Sequence, residues 1–349
     1  MASTANDLLK ATARSFYLTL RVLPGRVRPP IGLAYLLART ADTVADTDLV
    51  PPAQRIEALR RLRERILGRA AAPLPFGELA REQGSPGEKR LLERVEESLA
   101  ALQATPAADR KLIQAVLSTI TSGQELDLQR FAGSGDDGAG RARGETPRPE
   151  AVIALRTSAE LDDYTYLVAG CVGEFWTKLC RAHLFPRAEL DDYRLIADGV
   201  RFGKGLQLVN ILRDLPADLK NGRCYLPLEK LAPAGLTPER LLAAENEASF
   251  RRVFRAHLEL AEAHLEAGWH YINTLPFRQF RVRLACAWPV LLGLKTIGRL
   301  RAAGVADLQR RVKVPRREVQ TMMLRSALAC PVPFLWRRLY RPDQGVEKR

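Results

Sequence analysis

Gly205-Leu-Gln207-Leu-Val-Asn210-Ile-Leu-Arg213-Asp214-Leu-Pro216-Ala-Asp218 is an apolar segment crossed by a polar stripe. Gln207, Asn210, Asp214 and Asp218 follow one another at steps of three, four and four, so a helix projects them all from one side. Buried without partners, such a stripe is costly. It calls for a charged ligand or a cation, or for water at a helix end. Pro216 removes one helix hydrogen bond and places a kink or a helix end inside the segment.

Upstream, Tyr35-Leu-Leu-Ala-Arg39-Thr-Ala-Asp42-Thr-Val-Ala-Asp46 repeats the design. Asp42 and Asp46 are again four apart, Arg39 lies on the same side, and the surroundings are apolar. Taken alone, this pair also reads as the solvated end of a helix before Pro51-Pro52 open the next one. Two helices that each offer a carboxylate pair can hold hard divalent ions through oxygen ligands. Mg²⁺ keeps several waters and binds substrate phosphates as well. Bridged to a diphosphate, it would promote departure of that group as a Lewis acid.

The rest of the chain also reads at helical period. Ile56, Leu59, Leu62, Ile66 and Leu67 mark one apolar face. Similar spacing runs through 91–102, 112–128, 151–179, 190–215, 250–272 and 284–300. Alternating Val/Ile/Thr-rich runs are absent, so the expected fold class is all-α. Ala71–Gly87, with three prolines, reads as a loop, and Gly133–Pro149 as a mobile surface insertion. Both aspartate pairs are needed for one chemistry, so residues 1–335 are read as a single domain. Residues 336–349 are read as a C-terminal tail, frayed from Tyr340 to Arg349.

The chain has 349 residues, 46% hydrophobic and 27% charged, which excludes global disorder, collagen-like repeats and a multi-span membrane protein. Lys and Arg total 54 against 40 Asp and Glu, a net charge of +14. That balance implies an anionic partner: nucleic acid, an anionic membrane or a phosphorylated small molecule. The Arg-rich runs 60–69 and 310–317 lack a recognition motif and an aromatic stacking platform, so nucleic acid is not expected. Cys171, Cys180, Cys224, Cys286 and Cys330 contain no Cys-x-x-Cys pair, which argues against a disulfide framework or zinc ribbon and for a reducing compartment. No secretory signal or membrane-length apolar run is visible. His257, His264 and His270 alternate with acids but lack metal-ligand spacing, and read as a solvated amphipathic helix.

In order along the chain, the motifs resemble those of the squalene/phytoene synthase family of head-to-head isoprenoid synthases. Arg14-Ser15-Phe16 resembles its early Arg-Ser-Phe, and the two Asp-x-x-x-Asp segments resemble its aspartate-rich motifs. Tyr164-Thr-Tyr166-Leu-Val168-Ala169-Gly170-Cys-Val-Gly173 resembles its Tyr-x-x-x-Val-Ala-Gly-x-x-Gly helix. Asn221-Gly222-Arg223-Cys-Tyr225-Leu-Pro227 resembles the flap after the second motif, and Cys286-Ala-Trp-Pro289 a late Cys-Ala-x-Pro segment. Arg311-Val-Lys313 begins like a Val-Lys-x-Arg segment, with Pro315 where the arginine would stand and Arg316 next to it. Ala45 and Ala217 stand where squalene synthases usually carry an acid.

The resemblance implies a single all-α helical bundle around a central cavity. It implies Asp42, Asp46, Asp214 and Asp218 as Mg²⁺ ligands and Tyr164 as an acid/base group in the first half-reaction. Arg14, Ser15, Phe16, Tyr35, Arg39, Gln207, Asn210, Arg223 and Tyr225 would bind substrate, and Arg14, Arg39, Arg213, Lys313 and Arg316 would hold NADPH. Arginine suits these roles through its planar donor fork, and a closing flap at Tyr225 would keep water from carbocations. The implied reaction joins two farnesyl diphosphates into presqualene diphosphate and then reduces it to squalene. The alternatives are a phytoene, dehydrosqualene or hydroxysqualene-pathway synthase or, without catalysis, a basic helical membrane- or RNA-binding protein. A cytoplasmic monomer with peripheral membrane contact is expected.

Overall fold

A computed structural model describes residues 2–12, 16–47, 50–83, 85–131, 151–310 and 312–340. The predicted insertion at 133–149 lies outside them, as do Arg14, Ser15 and the end of the tail. The described residues fall into two compact units. Residues up to 131 and 175–186 form the first, and 151–174 with 187–340 form the second.

The first unit begins with α1 (Ala2–Thr12), α2 (Phe16–Val22) and α3 (Arg28–Asp46). Pro29 and Pro30 sit in the first turn of α3, where a missing N–H costs nothing. Ile31, Ala34, Leu37, Ala41 and Val44 form its buried stripe. The next helix, α4 (Pro52–Leu67), opens on a proline and stops at Gly68, whose φ of 73° is left-handed. It is followed by α5 (Gly77–Glu82), α6 (Pro86–Glu93), α7 (Val95–Ala104) and α8 (Ala107–Phe131). α3 packs against α4, α7 and α8, and Leu8, Leu36 and Leu91 bind α1, α3 and α6 together. Two expectations are corrected here. The 71–87 loop contains α5, and Pro86 opens α6 rather than ending a loop. The 91–102 helix is two helices that break at Arg94.

In the second unit, a helix over 151–179 was expected, but Ile153–Ala154 is a short strand, β1. α9 (Ser158–Thr165) starts after Thr157, whose hydroxyl accepts the Glu160 N–H at 3.2 Å. One π-helical stretch, Tyr166–Gly170, then joins α9 to α10 (Cys171–Leu184), which passes into the first unit after Glu174. α11 (Asp192–Lys220) follows, capped by Asp191. It continues through Pro216, so the second aspartate pair lies in its final turns and not beyond a helix end. β2 (Arg223–Cys224) pairs in parallel with β1, Ile153 opposite Arg223. The remaining helices are α12 (Leu228–Leu231), α13 (Glu247–Thr274), α14 (Phe280–Ala302), α15 (Val305–Leu308), α16 (Arg316–Ala329) and α17 (Pro333–Arg337). Packing persists past the expected start of the tail. Trp336 is buried and stacks on Trp269 at 5.3 Å, and Tyr340 stacks on Trp269 at 5.5 Å.

Apolar residues cover most sides of α11, as in a helix with neighbours all round, and it packs on α13, α14 and the π-helical stretch. Two glycines set its closest approach. A Cβ on Gly203 would lie 2.2 Å from the Ala169 carbonyl oxygen, and one on Gly173 would lie 1.9 Å from the Gly199 carbonyl oxygen. The obstacle is backbone in both cases and cannot swing away. Gly173→Ala is expected to lower Tm by about 5–10 °C or to block folding, as overpacking against backbone does. A melt within about 2 °C of wild type would show that these backbones do not touch.

Among the described residues, no helix is long and apolar enough to cross a membrane. All five cysteines are buried free thiols.

Candidate active site

Each unit carries one aspartate pair. In the first, α3 holds Tyr35, Arg39, Asp42 and Asp46 along successive turns. The Tyr35 hydroxyl donates to the Thr12 carbonyl oxygen at 3.3 Å, which anchors the start of this face. Arg39 donates to Glu88 Oε1 at 2.5 Å and stands 3.7 Å from Asp42 Oδ2. From α8, Gln124 Nε2 donates to Asp42 Oδ1 at 2.6 Å, while its own Oε1 is buried without a hydrogen-bond partner. The Arg55 guanidinium, 2% exposed, donates to the Ala45 carbonyl oxygen and closes the end of α3 from below. Ala45 is buried.

Asp42 lies deep among protein atoms yet keeps 43% of its side-chain surface open. Its pKa is raised from 3.8 to about 6, first by burial and then by the Asp46 charge, against the opposing pull of Arg39 and Gln124. The folded chain therefore takes up a proton here before the unfolded chain does as pH falls. Ionised Asp42 costs the fold stability at neutral pH, and that cost is relieved between about pH 6 and 4. Metal binding runs the other way, because it needs the carboxylate. The Mg²⁺ concentration for half-maximal effect is expected to rise by up to about tenfold per pH unit below about 6, measurable by calorimetry or by titrating turnover. A flat response from pH 5 to 7 would remove Asp42 from metal binding.

In the second unit, the stripe forms on α11 as expected. Gln207 and Asn210 are half-buried, with Asn210 Nδ2 3.4 Å from Gln207 Oε1. Arg213 forks onto Asp214, donating through Nε to Oδ1 at 3.0 Å and through Nη2 to Oδ2. The charge of Asp218 reaches β2. Burial pushes the Cys224 thiol up to about 12, and Asp218 adds to that shift.

The flap folds back onto the segment before α9. Ile153 N donates to the Gly222 carbonyl oxygen at 2.9 Å, and Leu228 N to that of Leu155 at 2.8 Å. Gly222 takes a φ of 74° at the turn. This closure stacks Tyr225 on Tyr164 with ring centroids 4.7 Å apart. The Tyr166 hydroxyl instead donates to Glu174 at 3.1 Å, and its pKa is raised by burial and by the Glu174 charge.

The other predicted residues scatter. Phe16 opens α2, and Arg223 sits in β2. Lys313 and Arg316 are exposed on and after the link into α16. Among the described residues, neither side chain bonds to another predicted site residue. The histidines also part: His257 is buried with Nδ1–H on the Val253 carbonyl oxygen, and His270 pairs with Asp198. The stretch is therefore not simply a solvated face. A cavity of about 590 Å³ between α9 and α13 takes in Leu208 and His264 but none of the stripe residues.

Sequence reasoning missed Gln124, Glu88 and Glu229, whose carboxylate receives the Ser158 N–H and hydroxyl beside the flap. A signal existed for the first: Thr121, Gln124 and Asp127 are a second buried polar row at steps of three on α8. Glu88 and Glu229 sit on exposed-looking turns with no pattern to mark them.

The donors at both pairs are oxygens: carboxylates, with the unpartnered amide oxygen of Gln124 near one of them. Among the described residues, no three His, Cys, Asp or Glu side chains form a closed cage. Two carboxylates per ion, with waters and phosphate completing the shell, fit Mg²⁺. The set implied for NADPH fits less well. Arg39 and Arg213 already hold carboxylates, and Lys313 and Arg316 are exposed.

An all-α fold with Asp-x-x-x-Asp pairs on two long helices defines an isoprenoid-synthase class of protein. The family model for squalene/phytoene synthase matches residues 9–318, and the chain belongs to that family. A phytoene synthase from Pseudescherichia vulneris is 32% identical over 165 residues, 46% of this chain and 48% of that one. The chain thus spans about half the length of that relative, and 37% of a bifunctional lycopene cyclase/phytoene synthase from Gibberella fujikuroi. A presqualene diphosphate synthase from Rhodopseudomonas palustris is 29% identical over 270 residues, 77% of each chain. In fold, the chain matches TcSQS in complex with the ligand BPH1237 at a TM-score of 0.73 and 21% identity, covering 95% of this chain and 88% of that one.

Proposed function

We propose that this chain is a farnesyl-diphosphate farnesyltransferase that joins two farnesyl diphosphates head to head, releasing one diphosphate, to give presqualene diphosphate. One observation carries the reading. Each aspartate pair sits on a long packed helix with a neighbour that orients it, Gln124 on Asp42 and Arg213 on Asp214. The presqualene diphosphate synthase among the relatives supports it.

Asp42, Asp46, Asp214 and Asp218 would hold Mg²⁺, which when bound supplies Lewis-acid stabilisation to a departing diphosphate. Arg223 adds positive charge for that group, while Tyr225 on the closed flap excludes water. Tyr164, held by its stack on Tyr225, serves the proton transfer that closes the cyclopropane ring. The chain works in the cytoplasm as a monomer.

A second reading adds reduction of presqualene diphosphate to squalene by NADPH. Lys313 and Arg316 favour it, as cations with no ion pair among the described residues. The remaining implied residues do not assemble a cofactor site, so no step through NADPH is derived. The deciding experiment incubates purified protein and Mg²⁺ with farnesyl diphosphate or with geranylgeranyl diphosphate, with and without NADPH, and identifies the lipids by mass spectrometry. Presqualene diphosphate in both arms supports the first reading. Squalene in the NADPH arm alone supports the second. A C40 product from geranylgeranyl diphosphate, or no diphosphate release at all, overturns both.

A further inference from the structure

Outside the aspartate helices, the second unit exposes large apolar side chains at its C-terminal end. Leu324 and Leu328, one turn apart on α16, and Phe334 on α17 are 62%, 67% and 61% exposed. Phe280, at the start of α14, and Phe277, in the turn before it, are exposed too. Phe277 neighbours α17: the Arg283 guanidinium lies 5.6 Å from the Phe277 ring centroid and 5.3 Å from that of Trp336. Trp336 is buried on Trp269, so α17 is held firmly while its outer face stays open.

Arginines adjoin these residues along the chain. Arg278 follows Phe277, Arg325 follows Leu324, and Arg337 and Arg338 follow Trp336. Arg338 lies over the Phe334 ring at 4.1 Å, so charge and apolar surface share one spot. Among the described residues, Arg278, Arg325 and Arg337 form no ion pair. The nearby acid of α16, Glu318, is already taken by Arg299 and Lys295. Apolar side chains and arginines without an ion pair among the described residues complement one partner chemistry: an anionic lipid surface, where rings and leucines enter the headgroup boundary and guanidiniums meet phosphates.

We propose that the outer face of α16–α17, with Phe277 and Phe280, is a docking surface for anionic membrane. The inference stands apart from the reaction, because vesicle binding rather than turnover tests it. The full chain is sedimented with phosphatidylglycerol/phosphatidylcholine vesicles and with pure phosphatidylcholine vesicles. Wild type is expected to bind the first strongly and the second weakly, and to release as salt is raised. Phe334→Ser/Leu328→Ser is expected to weaken binding by about tenfold or more, and Arg337→Gln/Arg338→Gln by about fivefold per arginine. Leu126→Ser, an exposed leucine of the first unit, is expected to change little. If the serine pair lowers Tm, the arginine pair carries the test alone. Equal binding to both vesicle types would overturn the proposal, as would arginine variants that bind like wild type. So would self-association in sedimentation velocity that these variants abolish while vesicle binding persists, since it would assign the face to a second copy of this chain.

Discussion

Asp42→Asn is expected to cut turnover by about a thousandfold or more while leaving Tm unchanged or higher. The two halves of this expectation have separate causes. On the proposed metal assignment, the change removes a hard, charged ligand worth about 4 kcal/mol of transition-state stabilisation. Yet the carboxylate it replaces is held by burial and by Asp46 at a raised pKa, so its ionised form costs the folded state at neutral pH. Asparagine removes that cost and can still accept from Gln124. Asp214→Asn should lose activity to a similar degree. It frees Arg213 from its fork, and because both side chains are about 30% exposed the change in stability should be small. A structural role would show the opposite pattern, with activity and Tm falling together. Near-normal rates in both variants would sink the metal assignment.

Tyr164→Phe should slow formation of the cyclopropyl intermediate by about a hundredfold, with little change in KM. The ring that stacks on Tyr225 is kept, so the flap closes as before and only the hydroxyl is missing. Tyr166→Phe is the matched control. It removes the bond to Glu174 and should cost about 1 kcal/mol of stability, with turnover nearly intact. Single-turnover quench experiments on both variants separate the two tyrosines. A normal Tyr164→Phe with a slow Tyr166→Phe would move the proton-transfer role to the π-helical stretch.

Long periodic segments were legible in the sequence because a buried helix face repeats wherever the helix lies. α4, α8, α11, α13 and α14 all emerged from spacing close to their observed bounds. The break at Arg94 and the β1 pairing did not, since both depend on what packs opposite rather than on local pattern. The π-helical stretch Tyr166–Gly170 was invisible for the same reason. It sits where the Ala169 carbonyl fills the space that Gly203, thirty-odd residues away, leaves by lacking a side chain.

The same divide runs through the site. By itself, the sequence determined that four aspartates come in two helical pairs, because a spacing of four puts side chains on one face whatever surrounds them. It also determined the all-α class and the order of motifs that marks the family. Only the tertiary structure decided which partner each group holds: Gln124 on Asp42, Glu88 on Arg39, Tyr225 on Tyr164. Those partners lie from tens of residues to more than eighty away along the chain. Hydrogen bonds, stacking and shifted pKa values depend on distances of a few ångströms that no local spacing encodes.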